Sequence, residues 1–264
     1  MITVICWSKD RAAQLDLTLS TYKKYFKEWK EQTLNIIYTY SNDFYKQGYD
    51  LIKQYHPEFN WILETNFKND TLKCLNSDKL LTSFIVDDDV FIDYFSMENN
   101  EIKEFLNNDT ITCVSPRLGL HINFCYTQNK PQPQPQLDEK RMWNWTKNCV
   151  HDWNYPSSVA SFHLFRTRDI LFLNNTSFRA PNSLESEFNN YYPRNKEFMI
   201  CFENAKCFCS APNRVQTENN NLCLNTYSID FLNKEFLNNK RLSPDINHNM
   251  KINMCHGPIK LIFI

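Results

Sequence analysis

Thr82-Ser83-Phe84-Ile85-Val86-Asp87-Asp88-Asp89-Val90-Phe91 is the stretch on which the fold turns. An apolar run with β-branched and aromatic residues predicts a buried strand. The run stops at three consecutive carboxylates, and the apolar pair Val90-Phe91 follows at once. Carboxylates at the end of a buried strand repel one another and lose hydration. Without a cation beside them, at least one pKa rises. Hard divalent cations favour such oxygen ligands and commonly share them with a bound phosphate. The stretch therefore predicts a strand-end site for a metal and a phosphorylated ligand. The competing reading is a solvated acidic turn, because adjacent aspartates alone are a common pattern.

The chain upstream gives this stretch its context. Ile2 to Trp7 predicts a strand, and Ser8-Lys9-Asp10-Arg11 a polar turn. A helix follows from Ala12 to Tyr25, with Leu15, Leu19, Tyr22 and Phe26 along one face. Leu34 to Tyr40 predicts a second strand, and Ser41-Asn42-Asp43 a helix N-cap. The second helix carries Phe44, Leu51, Ile52 and Tyr55 and is ended by Pro57. Phe59 to Leu63 predicts a third strand and Asn66 to Leu75 a third helix. Strand and helix alternate three times before the acidic strand, the signature of a parallel sheet with crossover helices. In open α/β sheets ligands bind at the carboxyl ends of the strands. Those ends are Ser8 to Arg11, Ser41 to Asp43, Asn66 with Lys68, and Asp87 to Asp89.

Bulk properties narrow the function. The 264 residues are 42% hydrophobic, enough to build one large α/β domain or two small ones. A formal charge of −1 disfavours bulk nucleic-acid binding. The three glycines, Gly48, Gly119 and Gly257, cannot assemble a P-loop or a GxGxxG turn. A diphosphate must then be gripped by other means, of which a metal is the simplest. Ten cysteines are scattered through apolar segments, and Met1 to Trp7 lacks the features of a signal peptide. No apolar run approaches transmembrane length. These features predict reduced core cysteines in a cytoplasmic protein. Cys201, Cys207 and Cys209 lack a second pair of zinc ligands. The abundance of Asn, Lys, Ile, Phe and Tyr fits an AT-rich genome, viral or low-GC microbial.

Downstream, Glu101 to Leu106 predicts a helix, Ile111 to Ser115 a strand, and Pro116 to Gln136 a loop ending in alternating Pro and Gln. Trp143, Trp145, Trp153 and Tyr155 crowd the next segment. Such aromatics either stack on sugar rings or plug a core, and the core reading suits Trp143 and Trp145 individually. Ser158 to Arg166 predicts a strand and Thr167 to Leu173 a helix. Pro181-Asn182-Ser183 starts another helix, with Glu185 and Glu187 in its first turn. Acids there also serve as simple complements to the helix dipole. Phe198 to Phe202 and Cys207 to Cys209 predict strands, and Ile229 to Leu237 a helix.

The opening Ile2-Thr3-Val4-Ile5-Cys6-Trp7-Ser8-Lys9-Asp10-Arg11 resembles the start of nucleotide-sugar glycosyltransferases of the GT-A fold, family 2-like. Asp87-Asp88-Asp89 resembles their DxD motif. The resemblance covers about the first hundred residues. It implies a Rossmann-type mixed α/β sheet, mostly parallel, flanked by helices on both faces. It implies one domain over 1–264, with 1–115 as donor half and 116–264 as acceptor half and metal-closing tail. Mn²⁺ or Mg²⁺ on the diphosphate of a donor sugar, with UDP favoured, is implied as cofactor, and an acceptor glycan or other hydroxyl-bearing molecule as partner. Asp87 and Asp89 are the implied metal ligands. His256-Gly257-Pro258 with Lys260 resembles the late histidine ligand and phosphate lysine of such enzymes, and His248 is a weaker candidate. Ser8, Arg11, Ser41, Asn42, Asn66, Lys68, Asp87 and Lys260 are the implied donor contacts. Leu184-Glu185 resembles the element that offers a catalytic base to the acceptor, with Asp152 as second choice, which implies inversion. If the chain stays extended through the acids, Asp87 and Asp89 point the same way. Asp89 would then ligate metal directly, Asp87 would meet the ribose or the metal through water, and Asp88 would face elsewhere. The alternatives are a sugar nucleotidyltransferase, which usually carries a glycine loop after the first strand, and a non-catalytic protein with a degenerate transferase fold.

Overall fold

The computed structural model describes residues 2–75, 78–159, 162–191, 195–210, 212–213, 226–245 and 252–264. His248 lies outside the described residues. Strand β1 (Ile2–Lys9) is buried along all but its last residue. It pairs in parallel with β2 (Thr33–Thr39) on one side and β4 (Leu81–Val86) on the other, and β3 (Asn60–Leu63) pairs in parallel outside β2. Helices α1 (Ala12–Tyr25), α2 (Asp43–Tyr55) and α3 (Phe67–Cys74) are the crossovers between these strands. The strand–helix alternation read from the sequence is thus the topology observed.

After the acidic stretch the pattern loosens. A short strand β5 (Asp89–Phe91), helix α4 (Asn100–Asn107) and strand β6 (Ile111–Ser115) come first. A two-residue pair, β7 (Phe124–Cys125) and β8 (Lys130–Pro131), interrupts the predicted loop. Then come β9 (Met142–Asn144), β10 (Leu164–Arg166), α5 (Pro181–Tyr191), β11 (Phe198–Cys201), β12 (Cys207–Cys209) and α6 (Ile229–Leu237). One eight-stranded sheet runs β3-β2-β1-β4-β10-β6-β11-β9. In it β10 is antiparallel to both its neighbours and β9 is antiparallel at the edge, so the sheet is mixed but mostly parallel.

Strand alternation divides the core between the two faces. Val4 and Cys6 of β1 join Leu15, Leu19, Tyr22, Tyr49 and Phe236 in one cluster, whereas Ile5 and Trp7 join Phe67, Phe84, Leu184 and Phe188 in the other. Helices therefore cover both faces. Trp143 and Trp153 are fully buried in the second cluster, which assigns both to packing. None of the nine described cysteines forms a disulfide, and eight are buried. Among the described residues no helix is long and apolar enough to cross a membrane.

Two elements differ from expectation. Of the strand predicted over 158–166, the described residues form β10 at Leu164–Arg166, and 160–161 lie outside the described residues. Just before β10, Phe162 adopts a left-handed backbone at φ 63°. That conformation is costly for a bulky side chain. It is held by aromatic contacts of the Phe162 ring with Phe91, Phe95 and Phe26, at centroid distances of 5.0, 5.5 and 5.8 Å. The helix predicted at Thr167 is a 3₁₀ segment over Thr167–Asn175.

Candidate active site

The carboxyl ends of β1 and β4 lie side by side, since Trp7 pairs with Val86. The register carries Ser8 to Asp87. Ser8 Oγ donates to Asp87 Oδ2 at 2.8 Å, and the Lys9 amide donates to the same oxygen at 3.2 Å. Arg11, at the N-cap of α1, sends Nη1 to Asp87 Oδ1 at 3.0 Å and to Asp88 Oδ2 at 2.8 Å. Its Nη2 donates to the Asn213 carbonyl at 2.6 Å. Burial pushes the Asp87 carboxyl up to about 6, with Arg11 pulling the other way and Asp88 adding to the rise. One carboxyl is therefore raised even with a guanidinium in place.

The chain does not stay extended through the acids. It turns at Asp87-Asp88, and Asp89 opens β5. Its Oδ2 accepts from the Val86 amide at 2.9 Å, closing the turn. The alternation that would align Asp87 with Asp89 does not apply. Instead Asp87 and Asp88 share Arg11, while ligand atoms of Asp88, Asp89 and Cys209 lie within 4.8 Å of one another, all three buried. Cys209 arrives because β12 pairs antiparallel with β5, register Cys209 to Asp89. Its thiol donates to Asp88 Oδ1 at 3.4 Å.

The tail adds an edge to this small sheet. The Cys209 amide donates to Cys255 at 3.0 Å and the Gly257 amide to Cys209 at 3.0 Å, so His256 bridges to Cys209. The His256 ring stacks on Tyr126 at 5.9 Å. Burial lowers its pKa while Asp88 opposes the shift, so the imidazole is biased to the neutral form that ligates metal. Two carboxylates and a thiol form a donor set that fits a divalent cation, softer than an all-oxygen site. The structure thus puts His256 next to the acid cluster and brings in Cys209, which the sequence offered only as part of an incomplete zinc pattern.

A second polar cluster lies beyond the end of β6. Arg117, 7% exposed, donates from Nη2 to Asp152 and from Nη1 to Ser158 Oγ at 3.1 Å. Asp152 also accepts from Gln132 Nε2 at 2.9 Å. Its carboxylate is thus tied directly to a buried guanidinium, which disfavours it as a base. Glu185 lies in the second turn of α5, whose first turn holds no acid, so the expected dipole-complementing position is not the one observed. It accepts from the Val159 amide at 3.0 Å and from the Tyr155 hydroxyl at 3.2 Å. Burial raises the Glu185 carboxyl, opposed by those two donors and by Arg117. Arg117 is a functional candidate that sequence reasoning missed, and Tyr155, read there as a sugar-stacking or core aromatic, is a partner of Glu185. A cation just after a strand end was the available signal for Arg117.

The other anticipated contacts have local partners. Asn42 Oδ1 caps α2 through the Tyr45 amide at 3.2 Å, and Asn66 Oδ1 caps α3 through the Asn69 amide at 2.9 Å. Ser41 donates from its amide and hydroxyl to the Asp10 carboxylate, both at 2.6 Å. Lys68 Nζ donates to the Thr176 carbonyl at 2.5 Å. Lys260 is exposed beyond His256.

No family model matches the chain. It is 28% identical over 283 aligned residues to the bifunctional glycosyltransferase pgtA of Dictyostelium discoideum, covering 92% of this chain and 36% of that protein. The chain thus spans about a third of the length of that relative. Its structure superposes on S. aureus TarS 1-349 in complex with UDP at a TM-score of 0.50, with 15% identity, over 80% of this chain and 61% of that one. Sheet order, helix layers and strand-end cluster, taken with these likenesses, identify a GT-A-like glycosyltransferase fold.

Proposed function

We propose that the chain is a metal-dependent glycosyltransferase that moves a sugar from a nucleoside-diphosphate sugar to an acceptor hydroxyl with inversion. The observation that carries this reading is the buried acid cluster where β1 and β4 end side by side. The likeness to a named glycosyltransferase supports it, and the UDP bound by TarS favours a UDP-sugar. Asp88, Asp89 and Cys209, with His256 on the adjoining segment, would hold Mn²⁺ or Mg²⁺. When bound, such an ion neutralises charge developing on a leaving diphosphate.

The chain's own groups do the rest. Ser8 and Arg11 fix Asp87 at the strand end, ready to meet a ribose hydroxyl. Glu185 takes the acceptor proton. Its raised pKa brings it closer to neutral pH, as a general base requires, while the Val159 amide and Tyr155 hydroxyl orient the carboxylate. Attack by the acceptor oxygen from the face opposite the leaving diphosphate inverts the anomeric carbon.

The test is thermal stability against nucleoside diphosphates with Mn²⁺. A UDP or GDP shift that requires the metal and is lost in Asp89→Ala is expected. No shift with any nucleotide would sink the reading.

A further inference from the structure

Arg117 belongs to no anticipated contact, yet it is bonded to both ends of the loop that holds Glu185. Its guanidinium is buried, and its two terminal nitrogens are spent on Asp152 and Ser158 Oγ, at opposite ends of the 152–158 segment. That segment supplies Tyr155, and Val159 follows it directly. Tyr155 and Val159 are the two donors that grip the Glu185 carboxylate. The Arg117 carbonyl meanwhile accepts from the Cys255 thiol at 3.4 Å, next to His256. One residue thus braces the loop that holds the proposed base and the segment that brings in His256. Its Nε is buried without a hydrogen-bond partner. Removing one member of the buried Arg117–Asp152 pair would be strongly destabilising.

We propose that Arg117 is the positioning residue for Glu185. Through Asp152 and Ser158 it fixes the loop whose amide and hydroxyl grip the carboxylate, and it is the cation that faces that carboxylate. The idea rests on the assignment of Glu185 as base. The charged and titratable groups acting on Glu185 are Arg117 and Tyr155, with the Val159 amide as the neutral donor. Of the two, Arg117 carries the charge that favours ionised Glu185, so removing it must make the carboxyl harder to ionise.

The test reads Glu185 directly. The full chain is labelled with ¹³C at glutamate side-chain carboxyls and titrated by NMR, with Glu185→Gln assigning the resonance. In Arg117→Gln the Glu185 midpoint is expected to rise by about one pH unit. In Arg117→Lys, which keeps the charge, it should stay near the wild-type value. An unmoved midpoint in folded R117Q overturns the proposal. If R117Q does not fold, the double variant R117M/D152L replaces the buried pair with apolar side chains and must show the same rise; an unmoved midpoint there is equally fatal. Transfer activity of E185Q judges the base itself. An active E185Q rejects Glu185 as base, whereas an inactive E185Q with an unmoved R117Q midpoint rejects Arg117 alone.

Discussion

Of the three arginines buried among the described residues, Arg11 and Arg117 stand at the candidate site, and they do opposite things. Arg11 bridges Asp87 and Asp88 directly, at 3.0 and 2.8 Å. Its charge is consumed by the acids whose place at the strand ends invites a metal. Arg117 pairs with Asp152 and leaves Glu185 to a backbone amide and a phenol. The first cation keeps an acid cluster together. The second engages one carboxylate and leaves another, the proposed base, to neutral donors. Geometry, more than charge count, decides which carboxylate is available.

The contrast is broken most decisively at Glu185. E185Q keeps the hydrogen-bonding shape but cannot accept a proton, so transfer should fall by about 10² to 10⁴-fold, while D152N should cost far less. Equal losses in steady-state assays would erase the distinction between the two carboxylates. At the other cluster, Arg11→Gln leaves Asp87 and Asp88 uncompensated. Denaturant unfolding without metal should show a loss of about 3 to 5 kcal/mol. Added Mn²⁺ should recover more stability in R11Q than in wild type. A metal response no larger than wild type would mean that Arg11 is not the cluster's counter-charge.

A smaller effect tests pH. His163 lies buried between Ser115 Oγ at 2.8 Å and the Pro156 carbonyl at 3.2 Å, and burial pushes its pKa down to about 3. Its folded pKa is below the unfolded value of about 6.5, so the unfolded chain binds more protons between these limits. Stability is fully present above about pH 6.5 and declines as pH falls toward 3. His163→Gln should flatten that slope in urea melts at pH 7 and 5. His56 and His256, also held low by burial, contribute in the same sense. At the bottom of the range, Lys260→Ala should change stability by less than about 0.5 kcal/mol, since the side chain is exposed. A measurable loss of nucleotide binding in that variant would give Lys260 the phosphate role the resemblance implies.

The fold was far more legible than the site. Helix α1 falls on Ala12–Tyr25 and β6 on Ile111–Ser115, as read from periodicity, because both signals are local. The strand-end acids were legible for the same reason. Cys209 was not, because its place beside Asp88 depends on a pairing between residues 121 apart in the chain. Asn42 and Asn66 were legible in two ways. A side-chain oxygen at a strand–helix junction suits a ribose hydroxyl, and it equally satisfies an orphan amide of its own helix. Here both are so engaged. The turn at Asp87-Asp88 likewise depends on Asp89 folding back to the Val86 amide, which no alternation rule anticipates.

The kink at Phe162 has a mechanical consequence. Its ring is clamped among Phe26, Phe91 and Phe95, from the region around α1 and β5, while the next residue, His163, is bonded to Ser115 and Pro156. The strained backbone therefore works as a rivet, pinning the first part of the sheet to the second through two adjacent side chains that point into different packing environments. Parts joined this way should not melt separately. Calorimetric and van't Hoff enthalpies should agree for the intact chain, and Phe162→Gly, which relaxes the backbone and removes the ring, should split them apart.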